Sequence, residues 1–544
     1  MTRSLLSLMA LAALAVAGCG RDEAATGLAA ITPEALEASI RFLSSDLLEG
    51  RRPGSRGSEL GALYISTQFE LAGLQPAVGD SSYLQPVALA AMRPRTRLAF
   101  RARGGAALEP GYGSEFVARS GEPEEAVREE GELIFVGYGI SATEHDWDDY
   151  KGVDVSGKFL LILPNDPGQA LPGRFRGDTL TYYGLESYKL EEAARRGACG
   201  AILIHTRELA GYGWNVLESR RSGEEIWLEQ AGGTPPVGVQ VWLSQETAEQ
   251  VVAMAGLDFA TLLESARSER FRPISTGVTV SASVSGDVRR FSGVNVAGLL
   301  RGSDLQRAAE VVVFTAHYDH LGIGPAVDSD SIYNGAYDNA SGTGLLLVLA
   351  EAFARLEPRP ARSILFLAVT AAEPGFLGSR TYVEDPAVPL ERTVANINLD
   401  GVNLWGPTED VAVIGSETSS LESIAAVAAE AEDLRLRGDP SPELGYLYRS
   451  DQLSFLEVGI PVAYVGHGLD YVGRMPGWGR RKLAEYRERD YQQPSDELKA
   501  DADLRGGVQQ GRFAFRLGLS VANAADKPTW RQWPAAVLPS RGRD

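Results

Sequence analysis

Residues 310–316 read EVVVFTA, a near-continuous run of apolar strand formers. A strand buried on both faces of a parallel sheet has this appearance. The run delivers His317, and Asp319 follows two residues later, on the same side if the strand continues. A polar loop leads to Asn334-Gly335-Ala336-Tyr337-Asp338-Asn339-Ala340-Ser341-Gly342, which turns the chain sharply. Leu345, Leu346 and Leu349 are then spaced to bury one face of a helix. This order commits the chain to an α/β fold. His317 and Asp338 fall at the carboxyl end of a strand and the entrance of the next helix, where open α/β sheets place their sites. The layout is that of a metal site.

The same arrangement recurs downstream. Residues 363–369 predict a strand with Glu373 behind it, and 394–399 a strand with Asp400 behind it. A further strand is predicted over 461–465. One acid after a strand is a weak signal, because acids often cap elements. Ligand-type residues in four such places, in order, are specific.

At 544 residues the chain should hold more than one domain, and its 44% apolar share suits ordinary globular cores. A net charge of -20 argues against nucleic acid as a partner, since nothing would neutralise phosphates. Residues 1–19 have Arg3, a short apolar core and the ending Leu14-Ala15-Val16-Ala17-Gly18-Cys19. The core is too short for a membrane span and reads as a signal peptide. Its ending resembles the lipobox of bacterial lipoproteins, which implies lipid attachment at Cys19 and a place in the bacterial cell envelope, outside the cytoplasm. Cys199 then has no partner for a disulfide and reads as a small core residue. Residues 20–30 read as a tether. Thr32-Pro33-Glu34 starts a helix running to about 44, and a second helix is predicted over 58–72, stopped by Gly73.

The stretch LSSDLLEGRRPGSRGSELGALYISTQFELAGLQP resembles the opening of secreted di-zinc aminopeptidases. That clan includes bacterial leucyl aminopeptidases, glutamate carboxypeptidase and the transferrin receptor. YKGVDVSGKFLLILPNDPG followed by EEAARRGACGAILIHT resembles the protease-associated domain, a small β-rich insert that covers the cleft in this clan. The implied fold is α/β, a mostly parallel central sheet flanked by helices (the zinc-exopeptidase fold) with that domain inserted. The organisation expected is a peptidase part over 31–118, the insert over 119–287, the peptidase domain over 288–530 and a tail over 531–544.

The resemblance implies that His317, Asp338 and Asp400 hold one zinc. Asp338 would bridge to a second, held with Glu373 and a late His. Asp319 would orient the His317 imidazole, and Tyr491 matches a tyrosine that helps stabilise the tetrahedral intermediate. The sequence departs from the pattern at three places. Ala372 stands where the family carries its general base, Gln492 where it carries the late zinc-binding His, and Gln452 where it usually has His. The expectation is therefore one zinc, with the second site weak or absent. Of the other histidines, His145 and His205 read as surface or packing residues, His320 as a loop residue near the site, and His467 as able to face the cleft. Two functions follow: an envelope-anchored zinc aminopeptidase acting on peptides, or a pseudopeptidase that binds peptides or a partner.

Overall fold

The strand ending at His317 lies in the middle of a ten-stranded sheet in the computed structural model, which describes residues 24–79, 81–171, 173–221, 223–229 and 235–531. In chain order the strands are β1 (Gln75–Pro76), β2 (Leu84–Met92), β3 (Glu225–Leu228), β4 (Val288–Leu300), β5 (Val311–His317), β6 (Ser363–Val369), β7 (Thr393–Asn398), β8 (Asp410–Ile414), β9 (Arg435–Arg437) and β10 (Val462–His467). Across the sheet the order is β3-β2-β4-β6-β5-β7-β10-β8-β9, with β1 paired to β4. The central set β6-β5-β7-β10 is parallel. Both flanks turn antiparallel, at β4 against β6 and at β8 against β10. Chain order reverses around β5, so the loops after β5, β6 and β7 meet at one edge, the switch point of an open α/β sheet.

Every residue of β5 and β6 is buried. Val312, Phe314 and Ala316 face helices Pro33–Leu43, Gly342–Ala354 and Arg505–Asn523, while Val311 and Val313 face the second core. Phe314 stacks on Phe366 with ring centres 5.6 Å apart. Each such side chain stabilises the sheet by about 1.5–3 kcal/mol, so His317 is carried on one of the stiffest elements of the molecule.

Thr32 caps helix Pro33–Leu43 by accepting from Ala35 N–H at 3.2 Å, and Ser55 does the same for helix Arg56–Leu71. Residues 1–19, including Cys19, lie outside the described residues, as do 20–23. The expected tether does not extend past that point. Ala24, Leu28 and Ala30 are buried against the main core, because Gly27 leaves room for the Phe515 ring, which would stand 2.5 Å from a Cβ there.

A second sheet of eight strands follows β2 and ends with strand Ile274–Ser285. It begins at Arg95, ahead of the expected boundary at 119, because Arg95–Ala102 pairs antiparallel with Ile274–Ser285. From inside this insert β3 crosses back to pair with β2 at the edge of the main sheet. Among the described residues no helix is long and apolar enough to cross a membrane.

Candidate metal centre

His317, the last residue of β5, is fixed by its own loop. Its Nδ1 lies 3.1 Å from the main-chain carbonyl of Asp319, so a proton there leaves Nε2 as the free donor. Nε2 stands 3.4 Å from Asp338 Oδ1 and 3.5 Å from Asp400 Oδ1. Asp400 comes from the end of β7. Asp338 sits in the turn Ala336–Ser341, ahead of the buried helix Gly342–Ala354. That turn is held by Asp496, whose carboxylate accepts the N–H groups of Tyr337 and Asp338, each at 3.0 Å.

A second group shares Asp338. Three residues after His317, the fully buried His320 brings Nδ1 to 2.8 Å from Glu373 Oε1. Within each of the groups His317/Asp338/Asp400 and His320/Asp338/Glu373, the ligand atoms all lie within 4.8 Å of one another. Read from the sequence as a bystander, His320 is instead the imidazole of the second group. Its ring fits against Gly335, where a Cβ would stand 2.5 Å from Cγ of the imidazole.

Asp319 acts on both groups, but with different atoms from those expected. Its carbonyl, not its carboxylate, meets the His317 ring closely; the carboxylate is 3.7 Å away. The carboxylate accepts the N–H groups of Ala372 at 3.0 Å and Glu373 at 3.3 Å, and so fixes the turn after β6. Ala371 in that turn is left-handed, with φ +54°. From the insert, Arg220 in helix Trp214–Arg221 donates to the Glu373 carbonyl at 3.0 Å. The Ala372 methyl is buried and offers no acceptor.

Gln492, also left-handed at φ +59°, donates its amide NH₂ to Glu373 Oε2 at 2.7 Å and points it toward Asp338 Oδ2 at 3.4 Å. The NH₂ end meets the two carboxylates, and Oε1 at the other end is buried without a hydrogen-bond partner among the described residues. Gln452 serves structure: its Oε1 accepts from Asn398 at 2.8 Å and its NH₂ donates to the Tyr446 carbonyl at 2.7 Å, which secures the end of β7. Tyr491 lines the cavity above, its phenol raised well above the usual range by burial and the nearby Asp338 carboxylate. His467 is occupied at both nitrogens, by the Gly468 carbonyl and Tyr337 Oη, each 2.9 Å away. His145 stacks on Phe175, and His205 is buried against Tyr212 and Trp214, which lowers it to about 4 through desolvation.

Burial raises the carboxyls of Asp319 and Asp496 to about 6, while His320 and Arg220 hold Glu373 below the usual range against its own burial. Arg51 ties the loops together from 267 or more positions away. Its buried guanidinium donates to the carbonyls of Tyr318 (2.7 Å), Asn334 (2.8 Å), Gly335 (3.1 Å) and Leu43. Sequence reasoning missed Arg51, Arg220 and His320. Only His320 left a signal, as an imidazole one residue beyond the His-x-Asp motif.

One imidazole and one carboxylate of its own, plus a shared carboxylate, make each group a nitrogen-and-oxygen donor set suited to zinc. Both open onto a cavity of about 1650 Å³ lined by the main-sheet loops and by the insert. The arrangement is that of a two-ion metal centre at the loop edge of an open α/β sheet. Residues 295–510 match the description Peptidase family M28. Aminopeptidase YwaD of Bacillus subtilis (strain 168) is 31% identical over 172 residues, which are 31% of this chain and 34% of that protein. BOS complex subunit NCLN of Canis lupus familiaris is 26% identical over 230 residues, 40% of this chain and 38% of that protein. The chain thus spans little more than a third of these relatives' lengths. The solved aminopeptidase from Aneurinibacillus sp. strain AM-1 shares the fold, with a TM-score of 0.54 at 18% identity over 96% of this chain and 98% of that one.

Proposed function

We propose that the protein is a zinc-dependent exopeptidase that removes amino-terminal residues from peptides. The observation that carries this reading is the pair of donor groups sharing Asp338 at the cavity wall. His317, Asp338 and Asp400 would hold one ion. The chemistry that zinc supplies when bound is Lewis-acid polarisation of a carbonyl and easier ionisation of water. Around it, Asp319 and Arg220 fix Glu373, Asp496 fixes Asp338, and Tyr491 lines the cavity. Insert residues Arg220 and Trp242 line the same cavity as the metal groups, which favours short chain ends over the middle of a long chain.

A second reading is supported by one observation, the Ala372 methyl in the general-base position. A positioned base contributes about a hundred- to ten-thousand-fold, so its loss favours slow hydrolysis or a pure peptide- or partner-binding role. The relative named as a complex subunit is compatible with such a role. The test is a panel of aminoacyl and short-peptide substrates with zinc-loaded protein. Turnover that stops on chelation and in Asp338→Ala supports the peptidase. Peptide binding without turnover favours the second reading. Envelope anchoring rests on the 14–19 ending, and lipid labelling that persists in Cys19→Ser would refute it.

A further inference from the structure

The resemblance puts Gln492 where a late zinc-binding histidine is expected, which leaves the second metal position one ligand short of that pattern. We infer that the position has been rebuilt with His320 as its imidazole, alongside Glu373 and the shared Asp338, and that Gln492 now steers Glu373 instead of binding metal. The inference rests on the metallopeptidase reading above and concerns a residue that the family pattern does not use.

Three observations carry it. The first is convergence without hydrogen bonding. His320 Nδ1 and Glu373 Oε1 are 2.8 Å apart, yet they are not aligned for a hydrogen bond, and neither atom has a hydrogen-bond partner among the described residues. A simple ion pair would align the N–H on the oxygen. Two lone pairs directed at a common cation would not, and a buried group left unpaired costs about 1–3 kcal/mol. A cation between them takes up both orphaned atoms.

The second observation is the Gln492 amide. Its NH₂ occupies Glu373 Oε2 at 2.7 Å, leaving Oε1 as the oxygen that faces His320. Gln492 thereby sets which carboxylate oxygen is free, the task usually performed by residues behind a metal ligand. The third is that the His320 loop is built for one ring position. Gly335 provides the space, and Arg51 clamps the carbonyls of Tyr318, Asn334 and Gly335 on either side. An idle loop histidine needs no such fixing.

The experiment measures zinc per chain after dialysis of the full-length protein, by elemental analysis and calorimetric titration. The expected result is two equivalents in the natural sequence and in Gln492→Ala, and one in His320→Ala. To separate ligation from a folding defect, His320→Cys and Gln492→Cys are loaded with Co²⁺. A thiolate-to-cobalt charge-transfer band in the near ultraviolet is expected for His320→Cys and not for Gln492→Cys. Two equivalents retained in His320→Ala, or the band appearing only in Gln492→Cys, would overturn the inference while leaving the metallopeptidase reading intact. No zinc in the natural sequence would overturn both.

Discussion

His317 and Asp400 stand at the ends of two adjacent buried strands, β5 and β7, whereas His320 and Glu373 stand on turns held by a glycine, two arginines and a glutamine from four distant parts of the chain. The first half of the centre inherits its geometry from the sheet. The second half is assembled from loop contacts, and it is also where the sequence departs from the pattern that the resemblance implies. Ligands fixed by strands leave little room for exchange, because moving one moves a packed core. Ligands fixed by turns can be traded, an imidazole from residue 492 for one from residue 320, with the fold unchanged.

The change expected to erase the distinction is Asp338→Ala. Asp338 belongs to both groups, so both metals and all hydrolysis should be lost. Elemental analysis showing one ion retained would mean that the halves are independent. Next in size is Ala372→Glu. With the imidazole already supplied by His320, restoring the base alone should raise kcat by about a hundred- to ten-thousand-fold. Gln492→His should add little, and peptide kinetics on the two single variants and the double variant will show whether the gains combine. Arg220→Ala removes the brace on the Glu373 carbonyl. Metal affinity should fall about 10–100-fold in the His320 half and stay unchanged in the His317 half, visible as a second, earlier phase in chelator competition.

The smallest effect concerns what lies behind the His317 half. Burial raises the Asp451 carboxyl to about 7 in the folded chain, where it accepts from Ser379 Oγ at 2.6 Å. An unfolded carboxyl titrates near 4. The folded state therefore holds the extra proton, and the stability it contributes is full below pH ~4 and lost as pH rises through about 7. Thermal unfolding of Asp451→Asn should show an advantage over the natural sequence that grows between those values and levels off above. An advantage independent of pH would show that Asp451 is ionised throughout.

The strand-borne half was legible because a buried strand announces itself locally: seven residues of 311–317 state both the element and the side on which His317 emerges. The same logic located Asp400 after β7 and Glu373 after β6. His320 was not legible, since its role depends on Gly335 and Arg51, which lie 15 residues after it and 269 before it in the sequence. Spacing rules see neighbours along one element, and a ring seated between two loops obeys none of them. The reach of the second sheet was hidden for a related reason. Arg95–Ala102 reads as an unremarkable alternating strand until its partner, nearly two hundred residues later, is known.

Arg51 adds a constraint of connectivity. Its guanidinium meets acceptors 267 to 284 residues further along, so the contact that braces the centre closes one of the longest loops in the molecule. Contacts of such separation carry a loop-closure entropy cost that grows only slowly with loop length, and packing elsewhere must offset it. The opening segment, which carries no metal-ligating side chain of either group, is therefore wired directly into the backbone of the loops that present them.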